Sequence, residues 1–147
     1  MPVDRRLVAV AMADVVGYSR LMERDESGTH ARLRALRELI VAAAGPLGGR
    51  LVKTAGDGFL LEFASATAAL RWAIDVQREL AARNAGAADD ARLELRIGIN
   101  LGDIIVEGDD IIGDGVNVAA RLESIAEPGG ICVAAAIWEQ IHEDLGV

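Results

Sequence analysis

From Leu7 to Val16 the chain reads LVAVAMADVV, a short and almost unbroken apolar run rich in valine. A run of that length predicts a strand buried on both faces. The segment GYSRLMERDESG then reads as a polar connection. From Thr29 to Ala44, apolar residues recur at helical spacing (Leu33, Leu36, Leu39, Ile40, Ala43), with Ser27 as a candidate N-cap and GPLGG as the stop. Residues 50–54 and 59–63 predict two short strands around AGDG, a hairpin. Ser65 is placed to cap a second helix running to about Asn84. The stretch NAGAADDAR is the loosest in the chain. RLELRIGIN alternates strictly, which predicts a half-buried strand carrying Leu93, Leu95, Ile97 and Ile99 on one face. GDIIVEG predicts a further strand, GVNVAARLESIA a helix stopped by EPGG, ICVAA a last strand, and AIWEQIHEDLG a short amphipathic helix.

The order β-α-β-β-α-β is ferredoxin-like, so the expected class is α+β, a sheet with helices packed on it and extra elements at the C-terminal side. This order has a geometric consequence. The helical crossover brings the second strand up parallel to the first, and the hairpin sends the third back down. If the third inserts beside the first, the end of strand one meets the hairpin tip. Asp14 and Asp57 then converge across 43 positions of sequence.

Length, charge and cysteine content narrow the possibilities. The 147 residues suit one domain, able to bury about two-thirds of the unfolded chain's surface without disulfides. The single cysteine, Cys132, lies in an apolar run and fits a reducing, cytoplasmic setting. No apolar run reaches membrane-spanning length. The net charge of −8 and only five aromatic residues argue against a nucleic-acid surface. His30 and His142 are isolated, without metal-ligand spacing.

Two converging carboxylates repel unless a cation lies between them. Mg²⁺ takes one or two carboxylates together with substrate phosphates and water. Asp14 and Asp57 are therefore candidate metal ligands. The backbone at Val16, Gly17 and Tyr18 is the candidate phosphate contact, since glycine leaves the backbone open to phosphates. Lys53 and Asp57 have a local alternative, a surface ion pair with a value of at most about 1 kcal/mol. Asn117 and Arg121 share a helix face, and Arg121 has Glu123 and Asp114 nearby as possible partners.

Taken together, MADVVGYSRLM, KTAGDGFLLEF and GDDIIGDGVNVAARLE resemble the catalytic domain of class III nucleotidyl cyclases, in order and spacing and over essentially the whole chain. The compact bacterial type is most similar. The resemblance implies an adenylate cyclase that converts ATP to cyclic AMP and pyrophosphate. It implies a homodimer with interfacial sites and two Mg²⁺ or Mn²⁺ ions per site, bound by Asp14 and Asp57. Lys53 and Asp110 would read the purine, Asn117 would orient the ribose, and Arg121 would stabilise charge on the α-phosphate. Guanylate members usually carry Glu at the lysine position, so Lys53 points to ATP. The family normally continues into a further hairpin that carries a phosphate-binding lysine. Here the sequence ends at HEDLGV with no lysine or arginine after Arg121, so residues 1–147 are expected to be a single catalytic domain truncated at its C-terminus. A non-catalytic dimerisation or nucleotide-binding module is the alternative.

Overall fold

A computed structural model describes residues 3–146. The elements run β1 (Arg5–Val15), α1 (Tyr18–Arg24), α2 (Glu26–Ala44), β2 (Arg50–Ala55), β3 (Gly58–Phe63), α3 (Ala66–Ala85), β4 (Leu95–Glu107), β5 (Asp110–Ile112), α4 (Asp114–Ser124), β6 (Ile131–Val133) and α5 (Ala135–Leu145). The sheet order is β2-β3-β1-β4-β5, with β6 added parallel to the first half of β4. The α+β class and the insertion of β3 beside β1 follow the sequence expectation.

Strand periodicity divides β1 between two cores. Ala9, Ala11, Ala13 and Val15 face α2 and α3, where Leu36, Ile40, Trp72, Ala73 and Val76 are buried against them. Val10 faces the other side, with Leu60, Ile104 and Ala119 of α4. The two long helices begin where short polar side chains can bond their first free amides. Ser65 accepts from the Ala68 amide at 3.1 Å, as its position predicts. At α2 the cap is Asp25, not Ser27, and it accepts from the Gly28 amide at 3.0 Å. Asp25 wins because the preceding residues are themselves helical: the expected polar connection contains α1. Leu21 on α1 packs against the core, and its carbonyl accepts from the Thr29 hydroxyl at 2.9 Å.

Three further expectations change. RLELRIGIN and GDIIVEG are one strand, because β1 pairs with β4 without a break from Val15–Leu95 to Arg5–Ile105 and carries it past Gly102. Strand β5 has no counterpart in the sequence reading; its three residues return from the Gly108–Asp109 turn to pair with β4. The loose segment before β4 is tied down, since the Asn84 side chain donates to the Leu93 carbonyl at 2.7 Å and accepts from its amide at 3.1 Å.

Glycines let α4 lie directly on β4. A Cβ at Gly98 would stand 2.2 Å from the Glu123 amide nitrogen and 2.5 Å from the Ala119 carbonyl oxygen. Gly115, on the helix, approaches the Asp103 carbonyl as closely, where a Cβ would stand at 2.6 Å. The buried Asn100 side chain donates to the Gly115 carbonyl at 3.2 Å, which fixes the start of α4 against the strand. Curling of the sheet also brings its two edges together. Arg50 on β2 donates to the Asp109 carbonyl at 3.0 Å, although β2 and β5 lie at opposite ends of the strand order.

Candidate functional site

The end of β1 supplies the first carboxylate. Asp14 stands between Gly58 of β3 and Arg96 of β4 in the register. The β2–β3 turn supplies the second. Ala55 pairs with Gly58, leaving a two-residue turn in which Gly56 takes φ 60°, the position that tight hairpins reserve for glycine. The Asp57 carbonyl then accepts from the Val15 amide at 3.2 Å. The predicted convergence is realised: Asp14, Asp57, Gly17, Tyr18, Arg20 and Arg96 all line one open cavity of about 540 Å³.

One oxygen of Asp14, Oδ1, is buried with no hydrogen-bond partner. An acceptor buried without a partner is costly, so this oxygen calls for a donor or a cation. Two oxygen-bearing carboxylates beside an open cavity suit a hard divalent cation whose remaining ligands come from phosphates and water. Among the described residues no group of three or more His, Cys, Asp or Glu could hold an ion unaided. The donor set therefore fits a cation that arrives with its substrate.

The phosphate side differs in detail from the sequence reading. The Val16 amide is committed to the Glu94 carbonyl at 2.9 Å. Gly17, at φ 66°, turns the chain into α1 and leads the open segment that borders the cavity with Tyr18. Arg96 is the residue the sequence reading missed. Its Nε is buried without a partner, and it sits directly across the ladder from Asp14. The signal was present in the alternation of RLELRIGIN, which places Arg96 on the face opposite Leu95 and Ile97. A guanidinium there offers paired donors to a phosphate.

Glu123 of α4 is 8% exposed and lines a neighbouring cavity of about 290 Å³ together with Asp14, Asp57 and Lys53. Burial pushes its carboxyl up to about 8, with the close approach and negative charge of Asp14 and the charge of Asp57 adding to the rise and Arg96 opposing it. Between about pH 4.5 and about 8 the folded chain then holds a proton that the unfolded chain has released, so this group's contribution to stability declines as pH rises through that window. Glu123→Gln removes the titration and keeps the shape. In metal-free buffer its Tm is expected to exceed that of the parent by at least a few degrees at about pH 8.5, with the advantage gone at about pH 5. Parallel Tm–pH curves for the two proteins would exclude this account.

Lys53 and Asp110 meet within one chain. Nζ lies 2.9 Å from Oδ2, and this bond is the chief reason the Asp110 carboxyl is held below its ordinary range. The local alternative, a Lys53–Asp57 pair, is not formed. A register shift between Leu51 and Lys53 explains the aim of the lysine. Without it Lys53 would oppose Phe59 and point at the α2–α3 core. With it Lys53 opposes Leu60, on the face that carries Asp14, because a one-residue slip turns a side chain through the sheet.

Asn117 and Arg121 sit on the other side of α4 from its buried stripe of Gly115, Ala119 and Glu123. Both are exposed, and Arg121 forms no ion pair with Glu123 or Asp114. Two residues of helix correspond to roughly 200° of rotation, so this face turns away from the chain's own Asp14–Asp57 cavity.

Comparison with known proteins identifies the family. Residues 4–144 match the family described as the adenylate and guanylate cyclase catalytic domain. A putative adenylate cyclase from Rhizobium meliloti is 49% identical over 141 residues, covering 95% of this chain and 24% of that protein. An adenylate cyclase from Streptomyces coelicolor is 37% identical, covering 95% of this chain and 35% of the relative. The chain thus spans about a quarter to a third of the length of these curated relatives. A crystal structure of an adenylate/guanylate cyclase/hydrolase from Silicibacter pomeroyi superposes with a TM-score of 0.89 at 47% identity, covering 97% of this chain and 84% of the other. With its fold, motif order and near-complete match, the chain belongs to the class III adenylate and guanylate cyclase catalytic-domain family.

Proposed function

We propose that this domain is an adenylate cyclase acting as a homodimer in the cytoplasm, with each active site built from two copies. The observation that carries the reading is the division of the candidate residues. Asp14, Asp57 and Arg96 share one cavity, whereas Asn117 and Arg121 face outward on the far side of α4. One chain cannot bring both groups to one phosphate. A second copy related by a two-fold axis can, and it completes two equivalent sites.

In this arrangement Asp14 and Asp57 hold two divalent cations, Mg²⁺ or Mn²⁺, whose chemistry is to acidify the ribose 3′-hydroxyl and to carry triphosphate charge. Arg96, with the backbone at Gly17 and Tyr18, binds the phosphates from the same side. Arg121 of the second copy donates to the α-phosphate, where charge accumulates as the 3′-oxygen displaces pyrophosphate. Asn117 holds the ribose. Lys53 donates to adenine N1 while Asp110 accepts from the 6-amino group, and their 2.9 Å contact keeps both tips at one place before the base arrives. Guanine, with a carbonyl at position 6 and a donor at N1, mismatches both.

Incubation of the purified chain with ATP and Mn²⁺ is expected to yield cyclic AMP and pyrophosphate, with GTP a poor substrate. Lys53→Glu sets two carboxylates side by side and is expected to lower the ATP-to-GTP ratio of kcat/KM by at least about tenfold. Absence of product at high protein concentration would favour a non-catalytic nucleotide-binding module. An unchanged ratio in the variant would remove Lys53 from base recognition.

A further inference from the structure

Among the described residues, Arg96 is not the only arginine without an ion-pair partner that lines an open space. On α2, His30, Arg34 and Arg37 follow the spacing i, i+4, i+7 and so share a face. That face lies opposite the β2–β3 hairpin. The three side chains line a cleft of about 260 Å³ together with Leu33, Thr54, Gly56 and Phe59. We propose that this cleft is a second, non-catalytic anion site that takes a phosphate-bearing ligand.

Charge is the first argument. The chain carries a net −8, yet this concavity is bordered by two guanidinium groups and an imidazole. Glu38 stands four residues after Arg34, at the spacing for a helical ion pair, and the pair is not made. Arg37 has no ion-pair partner among the described residues either. Shape is the second argument. Phe59, 2% exposed, forms an apolar floor, and low-dielectric walls concentrate the field of the cations in the cleft. Chemistry is the third. Guanidinium groups pair with phosphate oxygens through parallel N–H donors, and the Thr54 hydroxyl adds one more donor on the opposite wall.

The register of β2 gives the site its meaning. Lys53 pairs with Leu60 and faces α4, whereas Thr54 pairs with Phe59 and faces α2. Gly56 precedes Asp57 in the turn. A ligand in this cleft therefore braces, from behind, the hairpin that carries Lys53 and Asp57.

The test needs neither turnover nor a divalent cation, so it stands apart from the catalytic reading. Amide NMR spectra of the ¹⁵N-labelled chain are followed during titration with inorganic pyrophosphate, in EDTA and at constant ionic strength. Saturable shifts are expected at His30, Arg34, Thr54 and Gly56. The double variant Arg34→Ala/Arg37→Ala is expected to weaken binding by at least about tenfold, with dispersed spectra confirming its fold. Arg96→Ala is expected to leave these shifts in place. Non-saturating shifts that chloride reproduces would overturn the proposal. So would saturable binding that survives the double variant, or binding that disappears in Arg96→Ala, which would assign the anion to the Asp14–Asp57 cavity.

Discussion

Asp57→Ala is expected to abolish cyclic AMP formation while leaving the fold unchanged. Asp57 sits at the tip of a two-residue turn whose backbone bonds, Ala55 to Gly58 and Val15 to the Asp57 carbonyl, do not involve its side chain. Removing the carboxylate therefore deletes charge without deleting structure. Cation-assisted displacement supplies several kcal/mol of charge stabilisation, and each 1.36 kcal/mol is a decade of rate, so the loss is expected to reach about a thousandfold or more. Arg121→Ala is expected to fail for a different reason, since in the proposed dimer its guanidinium serves the neighbouring copy's site. Mixing the two inactive proteins then becomes informative. A heterodimer carries one doubly damaged site and one intact site. With random pairing, roughly a quarter of the parental activity is expected to return. Confirmed heterodimers without activity would refute the shared-site arrangement, and substantial activity in Asp57→Ala alone would refute the metal role.

Gly98→Ala is expected to be among the most damaging single-methyl changes in the domain. Burying a methyl gains about 0.8 kcal/mol. At this position the new carbon would lie 2.2 Å from the Glu123 amide nitrogen and 2.5 Å from the Ala119 carbonyl oxygen, which are backbone atoms with no rotamer to relieve the clash. Helix α4 must lift from β4, at a cost of about 3 kcal/mol or more. For a domain of this size that corresponds to a Tm lower by about 6–12 °C. Activity is expected to fall as well, since Asn117 and Arg121 ride on α4. Gly45→Ala is the control, because Gly45 has helical φ and nothing within 4 Å of its added carbon. An unchanged Tm in Gly98→Ala would mean that α4 does not pack on β4 as described.

Much of this domain follows from local patterns in the chain. Periodicity marks α2 and α3, because burying one stripe of a helix demands it. The apolar run before Asp14 marks a central strand. The β-α-β-β order predicts that Asp14 and Asp57 approach once β3 inserts beside β1 as in a ferredoxin-like sheet, and that insertion is observed. Helix α1 was hidden because its seven residues are too few to show a period and include no buried residue. Strand β5 was hidden because three residues carry no alternation to read.

Other features depend on contacts between residues far apart in sequence. The irregularity between Leu51 and Lys53 decides which face receives Lys53, and nothing in KTAGDGFLLEF announces it, because a bulge is a compromise with the partner strand. The meeting of Lys53 with Asp110, 57 positions on, requires the sheet to curl until its edges approach. The position of Arg96 across the ladder from Asp14 and the burial of Glu123 beside them depend on the β1–β4 register and on glycines that admit α4. Local hydrophobic patterning specifies which side of an element is buried. Long-range packing specifies which polar residue stands beside which, and the candidate chemistry rests on that second choice.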